Sequence, residues 1–329
     1  MARSPVMTRR FDDPGPAAPT RAPSPKLAPD RPRSTTFTAF GLASETEPLS
    51  PGLHIVATPI GNLRDITIRA LATLAAADAV LAEDTRVTRN LLAHYGITTP
   101  LLAYHEHSND AVRERMVARL TAGEALALVS DAGTPLVSDP GYKLVQAAIE
   151  AGIAITPVPG PSAVMTALVA AGLPTDRFFF EGFLPQKAGA RRNRLEALIQ
   201  VPGTLVLFES PHRLPDMLAD AAAVLGPERP AAVTRELTKL YETIRRDTLG
   251  SLSARFAQEG PPKGEIVVII GAATAPERSA DSDAALDALI LAALERHSIK
   301  DAASLVSDET GQPRRLVYTR ALALARDQG

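Results

Sequence analysis

Cysteine and tryptophan are both absent from this chain of 329 residues. No disulfide framework, thiolate metal site or cysteine nucleophile is available to it. The absence fits a reducing compartment, and a cytoplasmic location is expected. Long apolar runs are missing too: none reaches the roughly 20 residues that a membrane helix needs. Excess charge of one sign is also lacking. The formal net charge is -2, so any nucleic-acid surface must be a local patch. Two nucleotide signatures do not occur. No G-x-G-x-x-G opens a helix after a strand, and there is no Walker loop with its lysine, which makes a ligand led by pyrophosphate or triphosphate a poor fit. His105-Glu106-His107 would set two imidazoles on one strand face. It lacks the H-E-x-x-H spacing and any cysteine partner, and no metal is expected.

What remains is an ordinary soluble composition, 45% hydrophobic and 22% charged, at a length that suggests about two domains. Residues 1–51 stand apart. Proline recurs from Pro5 to Pro32 among serine, alanine and arginine, and such a segment cannot bury enough apolar surface to offset its ordering entropy. It reads as a disordered extension. It has no apolar h-region of a signal peptide, and Asp12, Asp13 and Asp30 argue against a transit peptide.

From residue 52 strands alternate with helices. Residues 52–158 read as an α/β domain built on a mostly parallel, doubly wound sheet. Residues 159–271 read as a second α/β domain with a mixed sheet. A polar linker, 272–283, leads to a helical segment over 284–329. In that segment Gly311 breaks a helix predicted over 299–310, and Pro313 suits the first turn of the next. The pair could form a helix-turn-helix that binds RNA or DNA, or a helical cap on the fold.

Four strands end in tight, small-residue loops. The apolar run 125–129 enters Ser130-Asp131-Ala132-Gly133-Thr134-Pro135; 54–57 enters Thr58-Pro59-Ile60-Gly61-Asn62; 153–155 enters Thr156-Pro157-Val158-Pro159-Gly160-Pro161-Ser162; 205–208 enters Glu209-Ser210-Pro211-His212-Arg213. Small side chains let backbone approach a ligand, and open α/β sheets bind ligands at strand ends. Backbone amides, small apolar walls and a few oxygens suit a base, a ribose and a zwitterionic tail. Such a tail can place its carboxylate at a helix N-terminus and its ammonium against carbonyls and a carboxylate. The plainer alternative is a set of ordinary α/β connections.

These blocks, with Glu83-Asp84-Thr85-Arg86, Phe178-Phe179-Phe180-Glu181-Gly182-Phe183-Leu184-Pro185, Arg235-Glu236-Leu237-Thr238-Lys239 and Lys263-Gly264-Glu265, resemble the tetrapyrrole methylase superfamily. Within it they resemble the branch that methylates small-subunit ribosomal RNA. The resemblance runs over about residues 52–271. It implies two α/β domains with S-adenosylmethionine in the cleft between them, usually in a homodimer. It also implies methyl transfer to the ribose 2′-oxygen of a cytidine in the decoding region of 16S rRNA, within the small ribosomal subunit. Branches that methylate corrin precursors usually carry a Gly-Val-Gly-Pro-Gly-type first loop, where this chain has Ala57-Thr58-Pro59-Ile60-Gly61. A tetrapyrrole methylase would also need a large apolar bowl, and only 4% of the residues are aromatic. A non-catalytic ribosome- or DNA-binding protein on a decayed fold is the third reading, against which the loops look complete.

On this reading the cofactor contacts are Thr58, Pro59, Gly61, Asn62, Asp131, Ala132, Gly133, Thr134, Pro135, Ser162 and Ala163. Asp131 could equally be a turn former. The base that deprotonates the ribose hydroxyl is sought among Asp84, Glu209 and His212. RNA phosphates would meet Arg86, Lys187, Arg191, Arg192, Arg235 and Lys239. Each of these charges could instead be a solvated surface group or an ion pair.

Overall fold

The computed structural model describes residues 36–105, 109–273 and 280–327. The chain divides into two compact units. One is 1–166 with 237–240, and the other is 167–236 with 241–329. Most of the proline-rich stretch, residues Glu106 and His107, and part of the linker lie outside the described residues.

The first unit opens with a hairpin, β1 (Thr36–Ala39) and β2 (Leu42–Glu45). This corrects the sequence reading, which placed the whole of 1–51 in disorder. Phe37 is the physical reason. It is 4% exposed and packs with Tyr95, Leu91 and Leu92, and burial of such a side chain contributes roughly 1.5–3 kcal/mol. The Thr38 N–H also donates to the Tyr95 carbonyl at 2.8 Å. Four-residue strands with one buried ring, Phe37 between two threonines, are too weak a pattern to announce this.

A five-stranded sheet follows, built from β3 (Gly52–Val56), β4 (Ala79–Ala82), β5 (Leu101–Ala103), β6 (Ala125–Val129) and β7 (Ile155–Val158). Its order is β5-β4-β6-β3-β7 and every pairing is parallel. Strands buried on both faces explain the unbroken apolar runs in the sequence. Helices α1 (Ile68–Ala76) and α2 (Thr85–His94) pack on one face with Val56, Val80, Ala127 and Val129. Helices α3 (Asp110–Thr121) and α4 (Tyr142–Glu150) pack on the other with Leu53, Leu81, Leu126 and Leu128. The two faces take alternate residues of the same strands. Helix α5 (Ala163–Ala171) follows β7. The connections from β3 and β4 run one way across the sheet and that from β6 runs the other. The carboxyl end of β6 is thus a topological switch point.

The second unit carries the expected mixed sheet, β8 (Phe178–Phe183), β9 (Thr204–Glu209), β10 (Pro230–Arg235), β11 (Thr243–Thr248) and β12 (Ile266–Ile270). Its order is β11-β10-β12-β9-β8, with only β8 and β9 parallel. Helices α6 (Ala188–Leu198), α7 (Leu214–Leu225) and α8 (Leu249–Glu259) cover it. The sequence reading passed over β11 and α8. Thr-Ile-Arg-Arg-Asp-Thr is an edge strand of mostly charged and polar residues, so it shows no apolar signal.

Three further helices, α9 (Ala280–Leu294), α10 (Ile299–Thr310) and α11 (Arg314–Asp327), share a small core of Leu286, Ile290, Ala302, Val306, Val317 and Ala321. Gly311 caps α10 in the left-handed region, φ +68°.

Candidate active site

At the switch point the loop after β6 is a hub that holds the loops of three neighbouring strands. Toward β3, the Thr58 N–H donates to the Gly133 carbonyl at 2.8 Å and the Gly133 N–H returns a bond to the Thr58 carbonyl at 3.0 Å. The buried Thr58 hydroxyl donates to the Ser130 carbonyl at 3.1 Å. Toward β4, Asp131 Oδ1 accepts from the Asp84 N–H at 3.0 Å. Toward β7, the Thr134 hydroxyl donates to the Pro161 carbonyl at 3.1 Å. Eight of the expected cofactor residues flank or make these bonds: Thr58, Pro59, Asp131, Ala132, Gly133, Thr134, Pro135 and Ser162. Gly133 sits at φ +85°, and a Cβ there would stand 3.3 Å from Ile60 Cγ2. Only glycine makes this corner without strain and leaves the space open. Ser162 begins α5, its carbonyl accepting from the Thr166 N–H at 2.9 Å, and Ala163 is the first helical residue. Asn62 caps the short 3-10 turn that follows the first loop, accepting from the Arg64 N–H at 3.1 Å.

Lys239 belongs to the segment 237–240 that clusters with the first unit. Its aliphatic stem crosses Gly61 so closely that a Cβ on Gly61 would collide with it. An expected cofactor residue and an expected RNA residue are thus neighbours, which no sequence spacing foretells.

The charged candidates sort by environment. Asp84 caps α2, accepting from the Arg86 N–H at 2.8 Å and from Arg86 Nε at 3.0 and 3.1 Å. The guanidinium holds its carboxyl down at about 2, so it is a weak proton acceptor. Asp139 behaves oppositely. Burial first, then the nearby charge of Glu83, push it up to about 6, opposed by a hydrogen bond from Ser130. The sequence reading passed Asp139 over because Asp-Pro-Gly reads as a turn. Nothing local in the sequence signals its burial.

In the second unit Glu209 ends β9 with its side chain sealed from solvent. Oε1 accepts from the Ser210 N–H at 2.7 Å and lies 3.3 Å from Arg213 Nε. Burial raises its carboxyl above the usual range. His212 is exposed on the following turn. Arg191, expected to meet phosphate, is instead 5% exposed and bonds Asp220 Oδ2 at 2.7 Å. Arg192 bonds the other oxygen of Asp220 at 2.9 Å. Arg235 donates to Thr243 Oγ1, the Lys263 carbonyl and the Tyr241 carbonyl. Lys187 is exposed. Among the described residues no group of three or more metal-ligating side chains occurs, and no helix is long and apolar enough to cross a membrane.

Residues 52–253 match the Tetrapyrrole (Corrin/Porphyrin) Methylases. The chain belongs to the tetrapyrrole methylase family. Residues 280–325 also match the RsmI C-terminal HTH domain. The chain is 52% identical over 282 residues to ribosomal RNA small subunit methyltransferase I of Mesorhizobium japonicum, covering 86% of this chain and 95% of that protein. It is 48% identical over 271 residues to the protein of the same name from Pseudomonas aeruginosa, covering 82% and 96%. Membership therefore extends to the small-subunit rRNA methyltransferase I branch of the family. Among solved structures, diphthine synthase aligns at a TM-score of 0.52 with 17% identity, covering 67% of this chain and 89% of that one. A conserved hypothetical protein from Aeropyrum pernix K1 aligns at 0.54 with 18% identity, covering 85% and 98%. These two bear on the fold alone, and they agree with the expected two-domain α/β class and its C-terminal helices.

Proposed function

We propose that this protein uses S-adenosylmethionine to methylate the ribose 2′-oxygen of a cytidine in the decoding region of 16S rRNA, with the small ribosomal subunit as substrate. The observation that carries the reading is the hub at the end of β6, in a chain about half identical to proteins named for small-subunit rRNA methylation.

The hub fits the cofactor. Gly133 leaves a corner that a Cβ would fill, Ala132 is exposed beside it, and Asp131 keeps a second carboxylate oxygen for an ammonium or hydroxyl. When bound, the cofactor supplies a methyl group already activated on a sulfonium. The protein's remaining work is to orient the ribose oxygen, which alone can contribute many powers of ten, and to accept its proton. Asp84 suits a clamp better than a base, since it holds Arg86 toward solvent for a phosphate. Glu209 braces the turn that carries His212, and the exposed imidazole is the proton acceptor we assign. Lys187, Arg192, Arg235 and Lys239 supply further positive charge for RNA, while Arg191 shares the Asp220 carboxylate with Arg192. Arg314 and Arg315 open α11 to solvent and make the C-terminal helices an auxiliary RNA contact; Arg320 is paired with Asp287 at 2.7 Å. The edge strand β8 exposes Phe178, Phe179 and Phe183, a face suited to a second copy in a homodimer.

The test is methyl transfer from labelled S-adenosylmethionine to small subunits from an unmodified source, with the product mapped for alkali-resistant 2′-O-methylation. Label on one cytidine ribose is the expected result. Cofactor binding without transfer, or label on a base, overturns the proposal.

A further inference from the structure

We infer that the outer face of α2 and the tip of the β1–β2 hairpin form a docking surface for single-stranded RNA, with Phe40 stacking on an unpaired base. The inference rests on the proposed rRNA activity and adds to it a surface whose hairpin lies outside the matched family region, which begins at residue 52.

The hairpin turns on two residues, Phe40 and Gly41, since Ala39 pairs with Leu42. Both turn residues have positive φ, +55° and +77°. Such turns favour Asn-Gly, and a phenylalanine at the first position is disfavoured by its Cβ. Phe40 is nevertheless 82% exposed and Leu42 70% exposed. Neither contributes packing to the hairpin, which is held by Phe37 and by Thr38 bonding Tyr95. The fold thus accepts local strain and exposed apolar surface at one tip.

That tip lies near a cationic helix face. Tyr95 caps the C-terminus of α2, and the tip begins two residues beyond the Thr38 anchor, at most about 7 Å of chain. Arg86, Arg89, Asn90 and His94 are exposed along α2, whose sequence contains no acidic residue. Asp84 stands at its N-cap, and the hairpin's own acid, Glu45, pairs with Thr36 at the end away from the tip. The helix spans about 15 Å, and its N-terminus begins in the strand-end loops, where Asp84 bonds Asp131. Two arginines, Arg86 on its Asp84 clamp and Arg89, lead from the candidate site toward an exposed aromatic ring, which is the chemistry of single-strand recognition, in which phosphates meet arginine and bases stack on rings. The cations favour RNA over an apolar partner.

Phe40→Asn gives a clean test, because asparagine suits the left-handed turn and keeps the hairpin folded. In the full-length protein its melting temperature should be unchanged or higher, with S-adenosylmethionine affinity and kcat unchanged. KM for small subunits should rise about tenfold. Phe40→Trp should restore it and Phe40→Leu should not. Arg89→Ala should flatten the slope of log affinity against log salt by about 0.7 for a single-stranded 16S fragment. Wild-type KM in Phe40→Asn, or in Phe40→Leu, overturns the stacking assignment, and so does a change of oligomeric state in Phe40→Asn, which would make the occupant a second copy. If the wild type binds the fragment through Phe40 but transfers no methyl group, the activity fails and the surface stands. If it methylates rRNA regardless of Phe40, the reverse holds.

Discussion

The two units pair arginine at different depths. In the second unit Arg191 is buried on Asp220 and Arg194 meets the largely buried Glu181, while Arg245 bonds Glu259 and Arg246 bonds the Ala170 and Ala171 carbonyls. In the first, the strand-end loops are held by backbone and hydroxyl bonds, and on α2 Arg86 reaches solvent while pairing with Asp84, and Arg89 is exposed. A basic run in a sequence is therefore no measure of a basic surface. In the run 187–194 all three arginines meet carboxylates, whereas on α2 Arg86 does so and Arg89 is exposed.

Removal of a buried partner should separate the units most sharply. Asp220→Ala leaves Arg191 buried without a counter-charge, and such a loss costs about 3–5 kcal/mol. A denaturant midpoint should show it with little salt dependence. Asp84→Ala removes only a partly exposed cap, and its loss should be much the smaller. Equal losses would erase the contrast.

Next comes Gly133→Ala. Strain at φ +85° should cost about 1 kcal/mol in stability, while calorimetry should find S-adenosylmethionine affinity reduced at least tenfold. Unchanged affinity would remove the hub from the cofactor site.

The two aspartates of the first unit then give opposite pH signatures. Asp139 is raised in the fold to about 6. The folded state therefore binds the extra proton between its unfolded value and 6, and stability falls as pH rises through that window. Asp139→Asn should abolish this slope and stabilise the protein at pH 7 by roughly 1–2 kcal/mol, discounted for partial exposure. Asp84 is lowered to about 2, so its contribution is present above its unfolded value and lost as pH falls toward 2. Asp84→Asn keeps a capping side chain and should have the smallest effect, a slight loss at pH 7 that disappears in acid. Thermal unfolding from pH 3 to 8 measures both, and parallel curves for the two variants would contradict the assignment.

Much of the fold was legible because period and punctuation agreed. Apolar runs of four or five residues, each followed within a few positions by Gly or Pro, marked β3 and β6, and Gly311 with Pro313 marked the α10–α11 turn. The loops of the candidate site were legible for the same reason. Legibility failed where burial came from a distance. Phe37 is buried while Phe40 of the same hairpin is exposed, Asp139 is an unremarkable turn residue, and Arg191 is indistinguishable in sequence from Arg192.

The sequence by itself determined the alternation of strands and helices, the exclusion of disulfide and thiolate chemistry, and the family, since these depend on residue type and local order. Only the tertiary structure decided which strand-end loop is the hub, which carboxyl is pushed up and which is held down, and which arginines reach solvent. The hub, the raised carboxyl and the buried Arg191 depend on desolvation and on partners 29 to 75 residues away along the chain, which chain order does not encode; Asp84 alone is held down by a near neighbour, Arg86.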